Sequence, residues 1–277
     1  MSRQKRNGTS SAKLTGLAAA KREIERRLKQ GQGTGEGKTY RPWLLNYQYS
    51  SRGNKRVIWS NTLQRNVHLA SDLEYGVYQA VMRQSEPKLK HLKEQYPLLP
   101  IEETIEIANE QRVKHPRIPR TDIPHLMTTD LVVYRDLNPG TFIQPICVKP
   151  QSLTDDRRIG EKIAIEREYW RRRSLTMIVA TETFVSKTDL LNFQWFRDEW
   201  AVSHIPPATL KKVRGKLITA FSEARPLIDG LSVIEAELSL ERPLTLEAAR
   251  YLFSTIDFDT EDGLPICRSN KIIIQGY

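Results

Sequence analysis

An aspartate and a lysine lie near the ends of two neighbouring strand-like runs, at a spacing that suits phosphodiester chemistry. The runs are residues 127–135 and 142–148, both rich in Val, Ile, Thr, Tyr and Phe, and the turn formers 137–140 separate them. An antiparallel hairpin closed by this turn pairs Asp136 with Thr141, so that paired residue numbers sum to 277. Asp130 then lies opposite Cys147, and Lys149 is on the next diagonal of the same face.

Two interpretations fit this pair. A carboxylate beside a lysine can hold a divalent metal ion and orient an attacking water, as in metal-dependent phosphodiesterases. The same pair is also what an ordinary ion pair on a solvated sheet face looks like, since such pairs are common and contribute little to stability. A register shift of one residue would move Lys149 to the other face. The spacing alone leaves both interpretations open.

A second acidic residue, Glu74, begins a predicted helix. Residues 71–82 read SDLEYGVYQAVM, with an apolar stripe of Leu73, Val77 and Val81. Ser71 and Glu74 fit a capping box, in which the glutamate accepts a hydrogen bond from the Ser71 amide. This explains Glu74 structurally, and a role as a metal ligand is the functional alternative.

The elements around these residues predict an α/β domain. Residues 56–60 and 64–69 suggest a second hairpin, residues 95–101 an apolar bend, and residues 102–113 a helix. After the central hairpin, residues 155–173 predict a charged helix and residues 175–181 a buried strand. A strand, helix, strand crossover makes the last strand parallel to residues 142–148. The domain is therefore expected to contain a mixed sheet with flanking helices.

The last third of the chain has a different pattern. Helices are predicted at residues 187–200, 208–224 and 245–253, followed by a β-ribbon formed by residues 264–267 and 271–276. Several short helices followed by a ribbon are typical of a winged-helix-like module, which binds DNA or protein. No catalytic constellation is evident in this part.

Charge and composition indicate the kind of partner and compartment. The chain has 277 residues and a net charge of +10, and residues 1–65 hold 15 Lys and Arg against 3 Asp and Glu. A basic arm on a near-neutral body favours a polyanion such as nucleic acid, with a solubilising tail as the alternative. No apolar run is long enough to span a membrane, and the two cysteines suggest no disulfide framework, so a cytoplasmic location is expected.

Residues 31–69 contain two further features that suggest nucleotide or nucleic-acid contacts. Residues 31–39 are glycine-rich, but Gln32 stands where a phosphate-binding loop needs glycine, so a flexible connector is expected. Basic residues alternate with aromatic ones that could stack on bases or pack internally: Tyr40, Trp43, Tyr47, Tyr49 and Trp59.

Several segments together resemble the TnsA family of transposon endonucleases. They are ERRLKQGQGTGEGKTYRPWL (25–44), VHLASDLEYGVY (67–78), EQYPLLP (94–100), VKHP (113–116), MTTDLVV (127–133), ICVKP (146–150) and EREYW (166–170). They occur in the family's order over most of the first 180 residues. The C-terminal part matches only loosely.

The resemblance implies a restriction-endonuclease-like N-terminal domain whose catalytic residues are Glu74, Asp130 and Lys149. It also implies two Mg²⁺ ions, with Mn²⁺ as a possible replacement, held by Glu74, Asp130, the Val148 carbonyl and the side chain at position 147. The family favours Gln or Glu at that last position, whereas this chain has Cys147. A neutral thiol is a poor ligand for Mg²⁺, so the second site is expected to be incomplete or completed by water or substrate phosphate.

The implied activity is nicking of double-stranded DNA at the 5′ ends of a transposon, together with a DDE transposase subunit, TnsB, and an AAA+ regulator, TnsC. Transposition would place the protein at the bacterial nucleoid. The expected domains are a basic arm and helix at residues 1–30, the catalytic domain at 31–183 and the winged-helix-like domain at 184–277. The alternatives are a non-catalytic DNA-binding or assembly factor and a restriction or repair nuclease that acts alone.

Overall fold

The computed structural model describes residues 8–48, 53–84, 86–196 and 201–274, with side chains from residue 15 onward. The chain divides into two compact units, Met1–Phe184 and Val185–Tyr277. Residues 1–7 of the expected basic arm lie outside the described residues, as does Tyr49. No helix among the described residues is long and apolar enough to cross a membrane.

Among the described residues of the first unit, four α-helices combine with two sheets. In chain order its elements are α1 (Gly8–Lys29), β1 (Arg56–Ser60), β2 (Arg65–Leu69), α2 (Asp72–Arg83), β3 (Leu89–Pro97), α3 (Ile101–Glu110), β4 (Thr128–Asp136), β5 (Thr141–Val148), α4 (Arg157–Arg171) and β6 (Ile178–Ala180). The larger sheet has the order β3-β4-β5-β6, and β1 pairs with β2 in a separate hairpin. In the described part of this sheet, β5 and β6 pair in parallel and the other pairs are antiparallel, so the predicted mixed sheet is confirmed.

The central hairpin has the predicted register. Asp136 pairs with Thr141 and Leu131 with Ile146, and every pair between these two satisfies the expected sum. The Leu137 N–H donates to the Gly140 carbonyl across the turn at 3.0 Å. The predicted crossover is also confirmed, because α4 joins β5 to the parallel strand β6. Buried side chains of α4, including Ile165 and Trp170, pack in the same apolar cluster as Val132 and Cys147 of the sheet.

The sequence interpretation of residues 95–101 as an apolar bend is wrong at its start, because residues 89–97 form the edge strand β3. Charged residues interrupt the apolar pattern of this segment, which hides the strand. One of these residues, Glu94, is fully buried, and the Arg65 guanidinium binds both of its carboxylate oxygens at 2.7 Å. Arg65 also donates to the Leu92 carbonyl at 2.7 Å, so it joins β2 to β3 at two points.

The glycine-rich segment is an ordered turn, which contradicts the expected flexible connector. The Gly33 N–H donates to the Arg41 carbonyl at 2.7 Å, and Thr34 and Arg41 form a β-bridge. Gly33 has φ +71°, and a Cβ there would lie 2.7 Å from Pro97 of β3. Only glycine meets both demands.

The aromatic residues of the basic N-terminal region divide into core and surface residues. Tyr40 and Trp43 are buried, and the Tyr40 hydroxyl donates to the Glu94 carbonyl at 2.9 Å. Trp43 packs with Ala20 and Ile24 of α1, so this helix contributes to the core of the first unit. By contrast, Tyr47 and Trp59 are exposed.

The second unit is mainly helical. Its elements are α5 (Lys187–Trp195), α6 (Pro207–Ala220), α7 (Leu227–Leu238), α8 (Arg242–Leu252), β7 (Phe258–Thr260) and β8 (Ile272–Ile274). Helix α7 was not predicted, and the predicted ribbon is wrong in one strand, because β8 pairs with β7 rather than with residues 264–267. In that segment Ile266 is buried, and its N–H donates to the Asn192 side chain at 2.8 Å, so it serves the core instead of a sheet.

We expect Arg65→Met to lower the free energy of unfolding of the first unit by about 3–5 kcal/mol, because it leaves the buried Glu94 carboxylate without its cation. Urea unfolding followed by tryptophan fluorescence measures this change. The control is Lys90→Met, which removes the partner of Asp136 in an exposed pair 3.8 Å apart and should change stability by less than about 1 kcal/mol. Equal effects of the two substitutions would contradict the prediction.

Candidate active site

Asp130 is the centre of the candidate site, where β4 and β5 approach the end of their pairing. Its Oδ2 accepts a hydrogen bond from the Val148 N–H at 2.7 Å and another from the Lys149 ammonium at 2.8 Å. The contact joins the two strands just beyond their last backbone pair, Leu131 and Ile146. The predicted approach of Asp130 and Lys149 on one face is therefore observed.

Lys149 follows β5 directly, and strand β6 holds its main chain. The Lys149 N–H donates to the Ala180 carbonyl at 3.0 Å. Its ammonium also donates to the Val148 carbonyl at 2.7 Å, and 31% of its side chain is exposed. The lysine thus joins a carboxylate and a main-chain carbonyl while remaining accessible to solvent.

Glu74 reaches the same region from the first turn of α2, a helix that contacts both β4 and β5. The Ser71 hydroxyl caps this helix by accepting from the Glu74 N–H at 3.1 Å, as predicted. The other half of the predicted capping box differs, because the Glu74 carboxylate accepts from the Ala70 N–H at 2.8 Å instead of from the Ser71 amide. Glu74 is buried, which is unusual for a residue that only caps a helix.

Strand β3 supplies a polar residue that the sequence interpretation missed. Gln95 is buried, and its side-chain amide donates to Glu74 Oε2 at 3.4 Å, while its side-chain oxygen accepts from the Thr128 hydroxyl at 3.3 Å. Its φ is +47°, a strained conformation for a residue other than glycine. The β3–β4 register places it across from Asp130.

A third acidic residue, Glu166 of α4, also belongs to this region and was missed as a site residue. It is buried, and its Oε1 has no hydrogen-bond partner among the described residues. Its carboxylate lies close enough to Asp130 and Lys149 to feel their charges, and it is a hydrogen-bond partner of Cys147. The sequence feature that could have indicated Glu166 is its place in EREYW (166–170), one of the segments that resemble the TnsA family. The rest of the predicted helix is strongly charged, which hid an inward-facing acid.

Cys147 occupies the position where the resemblance implies a metal-binding side chain. It is fully buried and lies in the apolar cluster between the sheet and α4. Burial, followed by the nearby Glu166 carboxylate, raises the pKa of the thiol well above its usual range. The thiol therefore stays protonated and adds no negative charge to the site.

The Asp130 charge raises the proton affinity of the two buried glutamates of the site. Burial, and then the Asp130 charge, raises the pKa of Glu74 to about 8, against opposing contributions from the Ala70 N–H and Lys149. The same two causes raise the pKa of Glu166 to about 7. Burial disfavours the charged form of Lys149, but Asp130 outweighs burial and raises the pKa of the ammonium. Asp130 thus favours the protonated forms of Glu74 and Glu166 and the charged form of Lys149.

This arrangement fits a hard divalent cation in its charge and its oxygen donors. Carboxylates and a main-chain carbonyl are the ligands that Mg²⁺ prefers, and the unpaired Oε1 of Glu166 is a buried oxygen without a donor. The fit is incomplete in one respect. No three His, Cys, Asp or Glu side chains within the described ranges converge closely enough to hold a metal by themselves, so a bound ion would also need the Val148 carbonyl, water or a substrate oxygen.

Two comparisons with known proteins concern this part of the chain. Residues 86–182 match the family described as TnsA-like endonuclease N terminal. The transposon Tn7 transposition protein TnsA of Escherichia coli is 36% identical over 174 residues, which are 62% of this chain and 61% of that protein. The chain thus spans about three fifths of the curated relative's length. The family match contains Asp130, Lys149 and Glu166, whereas Glu74 precedes it.

We expect Glu74→Gln to increase the free energy of unfolding of the metal-free protein more at pH 8 than at pH 5. The difference between the two pH values should exceed that of a control substitution by about 1–3 kcal/mol. The folded state keeps the Glu74 proton up to about pH 8, whereas the unfolded chain releases it near the usual value of 4.5. The free energy of unfolding of the unsubstituted chain therefore falls as pH rises through this window.

Urea unfolding in EDTA at pH 5, 6, 7 and 8 measures this difference. The control is Glu36→Gln, since the Glu36 side chain is 78% exposed. Parallel pH profiles for the two variants would show that Glu74 is ionised throughout the range.

Proposed function

We propose that this chain is a metal-dependent DNA endonuclease that nicks the 5′ ends of a transposon during cut-and-paste transposition. The similarity of its N-terminal part to the TnsA family supports the proposal. The observation that carries the proposal is the shared hydrogen bonding of Asp130 with Val148 and Lys149, beside the buried acids Glu74 and Glu166. An ordinary surface ion pair has no need of two further buried carboxylates.

The residues that would hold Mg²⁺ are Glu74, Asp130 and the Val148 carbonyl. That carbonyl accepts from the Lys149 ammonium, and a carbonyl oxygen has a second lone pair for an ion. When bound, Mg²⁺ or Mn²⁺ would stabilise the negative charge that develops on the phosphate and the leaving oxygen. Two ions are proposed. Cys147 provides no oxygen ligand for the second ion, and the nearby Glu166 carboxylate would provide one instead.

The chain's own groups have separate tasks in this proposal. The Lys149 ammonium donates to Asp130 and to the Val148 carbonyl, and part of the lysine side chain is exposed to solvent. The ammonium can therefore also donate a hydrogen bond to a phosphate oxygen. Asp130 aligns the lysine and accepts the Val148 N–H, which keeps the strand end rigid. Glu74 is held in place by the Ala70 N–H and by Gln95.

The wider assignment follows from the family. We propose a restriction-endonuclease-like fold for residues 31–183, a winged-helix-like module for residues 184–277 and a basic arm with its helix at residues 1–30. The proposed substrate is double-stranded DNA at the transposon ends. The proposed partners are the DDE transposase TnsB, which would cut the other strand, and the AAA+ regulator TnsC, which would dock on the C-terminal module. Activity at the nucleoid of a bacterial cytoplasm is consistent with these partners.

We expect Asp130→Asn and Lys149→Ala each to reduce 5′-strand nicking by at least about 10²–10³-fold. Asp130→Asn removes a proposed metal ligand and the partner of Lys149, and Lys149→Ala removes the cation that faces the developing charge. The assay is nicking of a transposon-end duplex in Mg²⁺, scored strand by strand with and without the partner transposase. The control is Lys90→Ala, an exposed lysine near the other end of the same sheet. Full nicking by Asp130→Asn would leave a non-catalytic assembly factor as the better assignment, and efficient cutting without the transposase would favour a nuclease that acts alone.

We expect Glu166→Gln to raise the Mg²⁺ concentration needed for half-maximal nicking at least about 10-fold, in the range for disturbed metal-site neighbours, while the chain remains folded. Glutamine keeps the size of the side chain and removes the buried charge, so circular dichroism should be unchanged. The comparison is Glu168→Gln, on the same helix but in an exposed pair with Arg171. An unchanged Mg²⁺ requirement in Glu166→Gln would assign this residue to packing alone.

A further inference from the structure

A cationic cavity lies within the first unit, beside the N-terminal half of α4. Its volume is about 780 Å³, and its charged lining residues are Lys114, Arg117 and Arg158 against the single carboxylate of Asp122. Apolar side chains, including Ile105 and Pro124, form part of the wall. Apolar walls reduce solvent screening, so cations in such a cavity attract an anion more strongly than cations on a flat surface do.

The positive charge of the cavity is only partly neutralised. Arg117 forms an ion pair with Asp122, and Arg158 forms one with Glu161 at 2.7 Å. Arg158 also donates to the Lys114 carbonyl at 2.6 Å, which fixes the 113–125 segment against α4. Within the described ranges the exposed Lys114 ammonium has no carboxylate partner.

A further basic residue, Lys162, lies between this cavity and the candidate active site. Arg158, Lys162 and Glu166 lie four residues apart along α4, so they share one face of the helix. Glu166 is in the active site and Arg158 lines the cavity, which leaves Lys162 between the two. Partial burial and the charges of Arg158 and Lys149 lower the pKa of Lys162, which supports this position. Like Lys114, Lys162 has no carboxylate partner in the part of the chain that the structure describes.

We propose that Lys162 and the cavity lined by Lys114 and Arg158 bind successive backbone phosphates of the DNA strand that enters the active site. This phosphate track rests on the proposed nuclease function and adds to it a binding site outside the basic N-terminal arm. From residue 158 to residue 166 a helix rises about 12 Å. One strand of a DNA duplex carries a charge about every 3.4 Å along its axis, so a strand beside α4 presents about three phosphates to these cations.

DNA suits this surface better than an acidic protein segment does. The track runs directly to Lys149, the residue proposed to contact the scissile phosphate, so one continuous strand can occupy both sites. Its contacts come from lysine and arginine side chains, which bind phosphate without reading sequence. An acidic peptide would gain no advantage from continuity with the active site.

The test is the salt dependence of DNA binding by the full-length chain, in EDTA so that no cutting occurs. A fluorescent duplex of transposon-end sequence is titrated at several salt concentrations. We expect Lys114→Gln and Lys162→Gln each to reduce the slope of log K against log salt by about 0.9, and the double variant by about 1.8, one phosphate contact per lysine. The control is Lys88→Gln, an exposed lysine at the other end of the sheet, which should leave the slope unchanged.

Each result decides the question. A double variant with the slope of the unsubstituted chain overturns the phosphate track. The proposal is also overturned if the double variant keeps the salt slope of DNA binding but no longer binds a labelled poly-glutamate peptide. That result would assign the cavity to an acidic protein partner. Because binding is measured without cleavage, full 5′-strand nicking by Asp130→Asn would reject the nuclease assignment while leaving the slope result standing.

Discussion

The candidate site depends on the energetic cost of burying two carboxylates, Glu74 and Glu166, near the ion pair of Asp130 and Lys149. Glu74 and Glu166 are almost fully buried, and both their burial and the Asp130 charge disfavour their ionisation. A protein seldom retains such a group without a cation to balance it. Lys149 supplies one positive charge and protons supply the remainder in the metal-free chain. The site is therefore costly as a structural element and well suited to an ion that can replace those protons.

The surrounding fold holds this repulsive group together through main-chain donors and a second buried ion pair. Asp130 and Glu74 each accept a main-chain N–H, from Val148 and Ala70, which is a stable form of support because the backbone cannot rotate away. Arg65 and Glu94 hold β2 against β3. That pair keeps Gln95 next to Glu74 despite its strained φ. A neutralised buried ion pair thus stabilises the strand that supports a buried carboxylate of the candidate site.

The parts of this arrangement that could be predicted from sequence are the local ones. The hairpin register followed from a turn of four residues and two strand-like runs, and it was enough to place Asp130 beside Lys149. Glu94 and Gln95 were not recognisable, because charged residues mask a strand whose burial depends on Arg65, 29 residues earlier in the chain. Glu166 was hidden for a similar reason, since a helix rich in charge gives no sign of which acid faces inward until the sheet is in place. Glu74 illustrates the reverse case: its local cap was predicted, but the direction of its carboxylate was set by the sheet.

Cys147 shows how one substitution in a motif can be interpreted once the neighbours are known. From the sequence, a thiol in place of an oxygen ligand suggested an incomplete metal site. In the structure the thiol is buried in the apolar cluster and stays protonated, while the Glu166 carboxylate lies near it from α4 with one oxygen unpaired. The oxygen donor that a restriction-like motif would carry on β5 is thus present nearby, on a helix. The composition of such a site is better judged from the donors that surround the metal position than from the residue at any one place in the motif.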